Sequence, residues 1–259
     1  MSQSNAIKIV IPARLHSTRL PEKPLLLLAG KPLIWHTYQC ALAADIDPND
    51  IVIASEDAAV VETAQAFGAQ AMLTADTHAT GSARCLEVAQ QLDWSADTIV
   101  VNLQGDEPFL PAGELRQVIN ALIEHPEAAM ATLAAPLQAH AASNPHCVKV
   151  VLNAKQYAMY FSRAAVPYHR QDNLVEPLPT TDPVYLQHIG LYAYRHHALA
   201  QLQRAPATVI ETMEQLEQLR ALYYQMPIFV AKTTQIPHGS IDTPYDLDLA
   251  RKTLATTAI

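Results

Sequence analysis

Hydrophobic positions along this chain fall into two kinds of run. Short, nearly continuous apolar stretches at Ile7–Ile11, Ile51–Ala54 and Thr98–Leu103 have the length and β-branched content of strands buried on both faces. Between and after them, Pro32–Ala44, Ala58–Phe67 and Pro111–Glu124 repeat apolar residues at helical spacing. This βαβαβ rhythm predicts an α/β fold, Rossmann-like, with a mostly parallel sheet covered by helices on both faces.

After Met130–Pro136 the rhythm changes. Strands are expected at Val148–Leu152, Ala158–Phe161 and Ile189–Tyr194, with an exposed loop from Pro167 to Pro183 whose prolines block ladders and helices. Met213, Leu216, Leu219 and Leu222 are spaced by three and predict one helix over Thr208–Tyr224. A strand at Ile228–Ala231 and a helix at Pro244–Leu254 close the pattern. We expect one domain over residues 1–259, with 131–205 as an elaboration on the substrate side.

Composition narrows the function classes. With 259 residues, 50% of them hydrophobic, the chain can bury a large core. A net charge of −8 argues against a general nucleic-acid binder, so any phosphate contact must come from a local cluster of cations. Cys40, Cys85 and Cys147 are odd in number and widely spaced, which suggests neither a disulfide framework nor a thiolate zinc site. The start lacks the features of a signal peptide, and no apolar run reaches the roughly 18 residues needed to span a bilayer. A cytoplasmic setting with no membrane partner is expected.

One local cluster stands out. The first strand ends at Pro12, and Arg14, Arg19 and Lys23 follow within a loop stiffened by Pro21 and Pro24. Loops at the carboxyl ends of strands form the ligand crevice of open α/β sheets, and guanidinium forks suit phosphate oxygens. By itself such a cluster also reads as a solvated basic loop. The strand Thr98–Leu103 runs into Gln104-Gly-Asp-Glu-Pro108, placing Asp106 where one carboxylate, with substrate phosphates, would suit Mg²⁺. Asp242 offers a second carboxylate, or else only the cap of the last helix, with Pro244 in its first turn.

The order of motifs resembles one family. IPAR, STRLP-x-KPL, AGKPLI, TGSAR, VVNLQGDEP, MATLA, KVVLN, YFSRAAVP, HIGLYAYR, LEQLRAL and IDTPYDL together are similar to the 3-deoxy-manno-octulosonate cytidylyltransferases, the CMP-Kdo synthetases, over nearly the whole chain. The resemblance implies a nucleotidyltransferase core that transfers CMP from CTP to a 2-keto-3-deoxy sugar acid for lipopolysaccharide synthesis. It further implies a Mg²⁺ cofactor and a homodimer formed through 131–205. Nucleotide contacts would fall on Pro12, Ala13, Arg14, Arg19, Lys23, Thr80, Gly81, Arg84 and Asp106, with Asp106 and Asp242 holding the metal. Arg14, Lys23, Asp106 and Asp242 would carry catalysis. Sugar contacts would fall on Gln104, Arg163, His188, Tyr192, Glu214 and Gln218. From spacing alone, Glu211, Glu214 and Glu217 read equally well as a solvated acidic stripe.

Three residues depart from the family pattern. Thr77 and Ala83 stand where it has acids, and His238 where it has glycine. We expect these to reflect a modified sugar such as the 8-amino analogue of Kdo, with drift in loop and helix packing as the competing account. Other readings weighed are activation of a different 2-keto sugar acid such as a sialic acid, and a non-catalytic sugar-nucleotide binder. A dinucleotide-dependent oxidoreductase is disfavoured by the absence of a GxGxxG turn.

Overall fold

A computed structural model describes residues 6–15, 19–169, 183–234 and 239–257. In chain order the strands and helices are β1 Ile7–Ala13, β2 Leu27–Leu28, β3 Lys31–Pro32, α1 Leu33–Ala43, β4 Ile51–Ser55, α2 Ala58–Ala66, β5 Gln70–Leu73 and α3 Gly81–Gln91. There follow β6 Ile99–Asn102, α4 Ala112–Glu124, β7 Met130–Leu137, β8 Lys149–Leu152, β9 Ala158–Ser162 and β10 Tyr185–Arg195. The chain continues through α5 His196–Arg204, α6 Val209–Glu214, α7 Gln218–Tyr223, β11 Ile228–Lys232 and α8 Pro244–Thr257.

The main sheet has the order β11-β7-β10-β6-β1-β4-β5, with β8 and β9 attached as a side arm through β10. Along that path every neighbouring pair is parallel except the two made by β10, so the expectation of a mostly parallel sheet holds. Alternation along the central strands divides the core. Ile9, Ile11, Ile51, Ile53, Ile99 and Val101 face α1, α2 and α4, while Val10, Val52 and Val100 face α3 and α5. From β1 the chain builds outward through β4 to β5, then returns to the other side of β1 as β6. That reversal opens a crevice at the carboxyl ends of β1 and β6.

A third, smaller core fixes what closes over this crevice. Leu20, Leu28 and Leu33 from the segment after β1 pack with Ile241, Leu247 and Ala250 around α8. The backbone N–H of Ile241 donates to the Asp106 carbonyl at 3.0 Å. The two ends of the described chain thus meet over the loop that follows β6.

Two expectations change. The single helix over Thr208–Tyr224 is two short ones, because Gln215 takes a left-handed conformation (φ 53°) and ends α6. A three-residue apolar spacing drifts around a 3.6-residue helix; the break resets the phase, burying Leu216 and Leu219 while Met213 stays 79% exposed. The strand expected at Ile189–Tyr194 begins earlier, at Tyr185, and carries an irregularity between Ile189 and Tyr192 against β7. Residues 170–182 of the expected Pro167–Pro183 loop lie outside the described residues, as does His238.

Candidate active site

The crevice at the ends of β1 and β6 is a cavity of about 350 Å³, the size of a small-molecule site. Pro12, Ala13, Arg14, Arg19, Lys23, Gly81, Gln104, Asp106 and Asp242 all line it. Two glycines allow the walls to approach. A Cβ on Gly105 would stand 2.9 Å from the Pro12 carbonyl oxygen, and one on Gly81 would stand 3.1 Å from the Gln104 amide nitrogen. Thr37 donates from its hydroxyl to the Gly105 carbonyl at 3.0 Å and pins the loop from below.

Lys23 is the centre of the charged cluster. Its ammonium lies 2.6 Å from Asp106 Oδ2 and 3.0 Å from Asp242 Oδ1, and Arg19 reaches the same Asp242 oxygen at 3.2 Å. Burial works to lower the Lys23 pKa, but Asp106 and Asp242 outweigh it and hold the ammonium above its ordinary range. The two carboxylates therefore converge on one point now filled by a cation. Two carboxylates open to a phosphate-sized cavity form a donor set that fits Mg²⁺, which completes its shell with water and substrate oxygens. Among the described residues no group of three or more His, Cys, Asp or Glu forms a closed metal site.

Asp242 does not cap the last helix. Thr243 and Asp246 do: the Asp246 amide donates to Thr243 Oγ1 at 3.2 Å, and Asp246 Oδ2 accepts from the Thr243 amide at 2.8 Å. This leaves the Asp242 side chain free to face Lys23.

Other residues singled out from the sequence are placed elsewhere. Arg84 is 1% exposed, ion-paired with Glu56 at 2.6 Å and bonded to Thr74, so it ties α3 to the loops after β4 and β5. Thr80 caps α3 by accepting from the Ala83 amide and donates to Glu217 at 3.0 Å. Ala83 supplies no side chain for the reciprocal half of that cap, and Thr77 is exposed; neither lines the cavity. Arg163 and Glu214 clasp each other: the Glu214 carboxylate accepts from the Arg163 amide at 2.8 Å, and Arg163 Nε donates to the Glu214 carbonyl at 2.7 Å. Tyr192 and Gln218 are buried, each with a polar atom lacking a hydrogen-bond partner.

A second cavity adjoins the first through Gln104, which lines both. His188 lines it, as do Glu107, Glu114, His146 and Gln187. Burial pushes His188 down to about 3, so its ring is neutral. Its Nε2 lies 3.1 Å from Thr132 Oγ1, whose own proton points to the Ile189 and Leu191 carbonyls at 3.0 and 2.8 Å. His188 must then donate from Nε2, leaving Nδ1 as its acceptor. Burial, reinforced by Asp106, Asp242 and Glu114, raises Glu107 to about 8.

Glu114, His146 and Gln187 were not singled out from the sequence, and Glu107 entered only as the acid beside Asp106 in the Gln104–Pro108 motif. Only Glu114 carried a usable signal. It lies four residues before Val118 and seven before Ala121, on the buried stripe of an amphipathic helix, where an acid is out of place.

Comparison with known proteins agrees with this geometry. A family model described as cytidylyltransferase matches residues 8–228. The 3-deoxy-manno-octulosonate cytidylyltransferase of Pseudomonas syringae pv. syringae is 45% identical over 253 residues, covering 96% of this chain and 98% of that protein. That of Thioalkalivibrio sulfidiphilus is 43% identical over 250 residues, covering 96% and 99%. A solved structure of CMP:2-keto-3-deoxy-manno-octonic acid synthetase complexed with CTP superposes with a TM-score of 0.88 at 36% identity, covering 98% of this chain and all 100% of the other. The chain belongs to the cytidylyltransferase family and, within it, to the 3-deoxy-manno-octulosonate cytidylyltransferases.

Proposed function

We propose that this chain transfers CMP from CTP to a 3-deoxy-octulosonate sugar acid, releasing pyrophosphate, in the cytoplasm and in support of lipopolysaccharide assembly. The observation that carries the reading is the convergence of Arg14, Arg19 and Lys23 with Asp106 and Asp242 on one cavity that adjoins a second. No helix among the described residues is long and apolar enough to cross a membrane.

The anomeric hydroxyl oxygen bonds to the α-phosphorus as the bond from that phosphorus to the bridging oxygen breaks. The electron pair leaves with pyrophosphate, and the hydroxyl proton passes to solvent. No covalent enzyme intermediate is needed, because transfer at phosphorus depends on positioning and charge. Arg14 and Arg19 hold the β- and γ-phosphates and spread the charge of the leaving group. Lys23 exchanges carboxylate oxygens for phosphate oxygens as the triphosphate enters. Held by Asp106 and Asp242, Mg²⁺ would neutralise phosphate charge beside the reacting phosphorus. His188 and Gln104 line the sugar side, and Tyr192 and Gln218 support it from within.

The homodimer is part of the same proposal. The β8–β9 arm stands off the main sheet and leaves Met159 61% exposed, which suits burial against a second copy. Light scattering would read a mass twice that of the chain.

The function is tested by pyrophosphate release. Mixing the protein with CTP, Mg²⁺ and Kdo should give stoichiometric release, lost on chelation and restored by Mg²⁺. Release without a sugar acid, or none with CTP, overturns the reading.

A further inference from the structure

We propose that Glu87 and His78 are positioning residues for Arg14: together they fix the backbone carbonyl that holds its guanidinium at the first cavity before CTP arrives. The inference rests on the cytidylyltransferase reading, within which it gives a role to two residues that line neither cavity.

The three cations of that cavity are held in different ways. Lys23 and Arg19 lie against the carboxylates of Asp106 and Asp242. Arg14 is exposed, and its Nη2 donates to the His78 carbonyl at 2.5 Å. A neutral acceptor fixes a guanidinium while leaving its charge unspent, and the remaining N–H groups stay available for phosphate oxygens. Without that anchor an exposed arginine samples many rotamers, and the cost of ordering it falls on binding.

The carbonyl is itself tied down. His78 lies in the turn between β5 and α3, and Glu87 projects from α3. Glu87 Oε2 accepts from the Ala75 amide at 2.9 Å and from His78 Nε2, while Oε1 accepts from Gln91 at 2.7 Å. Burial works to raise the Glu87 pKa, but the His78 ring and the Ala75 amide outweigh it and hold the group below its ordinary range. Glu87 is then an acceptor only, so His78 Nε2 carries the proton between them. One carboxylate thus clamps both ends of the segment 75–78, and α3 sets where the His78 carbonyl stands. Arg84 separately holds Thr74 and the Ala75 carbonyl, so losing the His78 contact frees the end of the turn and leaves its start anchored.

The test is a double-mutant cycle on CTP binding, read by calorimetry without sugar and by KM for CTP at saturating Kdo. His78→Ala and Glu87→Ala should each weaken CTP binding by roughly 3- to 10-fold. In an Arg14→Ala background the same substitutions should change it by less than about twofold, because the group they position is gone. His78→Ala keeps the Glu87–Ala75 bond and serves if the Glu87 variant does not fold. Glu87→Gln, which keeps an acceptor for the His78 ring, should bind within about twofold of the unaltered protein. An amide as damaging as alanine overturns the role of Glu87. Losses of equal size with and without Arg14 overturn the positioning role, as does full affinity in both single variants, and either result leaves the cytidylyltransferase reading intact. An unaltered protein that binds no CTP overturns both.

Discussion

The two adjoining cavities share Gln104, yet the first is walled by Arg14, Arg19 and Lys23 and the second by Glu107 and Glu114. The first gathers three of the 17 basic residues of a chain that carries 25 acidic ones. Net charge therefore says little about either site: among the described residues, three cations and two carboxylates line the first, and glutamates without a lysine or arginine line the second. On the proposed reading the cationic cavity holds the triphosphate and the acidic one the sugar.

The largest effect should separate cations that belong to the first wall from one that does not. Arg84→Ala breaks a buried ion pair and should cost about 3–5 kcal/mol of stability, read by denaturant unfolding. Arg14→Ala should leave the unfolding midpoint unchanged and raise KM for CTP. A rise in KM for CTP in a well-folded Arg84 variant would return Arg84 to the cationic wall. Next, Asp106→Asn should lower kcat for pyrophosphate release by roughly 10²–10³-fold. Undiminished release would remove Asp106 from the proposed metal site.

Gly105→Ala tests whether the shared wall tolerates expansion. Its new methyl would meet the Pro12 carbonyl at 2.9 Å, and backbone must shift to relieve it. A loss of about 1–3 kcal/mol is expected, with weaker CTP binding by calorimetry. The smallest effect concerns the acidic wall without ligand. Burial raises the Glu114 pKa, so the native state holds a proton that the unfolded chain has released. Stability should then fall as pH rises from the ordinary carboxylate range through the raised value. Glu114→Gln should be more stable than the unaltered protein at pH 8, by on the order of 2–4 °C in Tm, and equal to it at acid pH. No difference at pH 8 would mean that Glu114 bears no ionisation cost.

Much of this was legible in the sequence for definite reasons. β1, β4 and β6 are central strands buried on both faces, so their residues form unbroken apolar runs, and the residues that follow them fall in the crevice by topology. That logic located Lys23 and Asp106. β5 and α3 escaped it: the first is a short edge strand with half-exposed residues, and the second opens with Gly81-Ser82 and interrupts its buried face with Ser82 and Arg84. Arg84 and Arg163 were legible as residues but not as contacts. An arginine in a motif looks the same whether it faces a phosphate, as Arg14 can, or a buried partner such as Glu56. Thr77 and Ala83 departed from the family pattern, yet neither reaches either cavity. Glu114 departs from the helical pattern itself, a signal in the sequence to which burial and the cavity give a place.

The Lys23–Asp242 contact joins residues 219 positions apart. All of the main sheet except β1 lies between them, and closing so long a loop gains little until intervening contacts exist. A nascent chain that has emerged only as far as the loop after β6 already carries Arg14, Lys23 and Asp106 but has no Asp242 to offer. On the proposed role of Asp242, a partly folded chain therefore has no complete site in which to consume CTP.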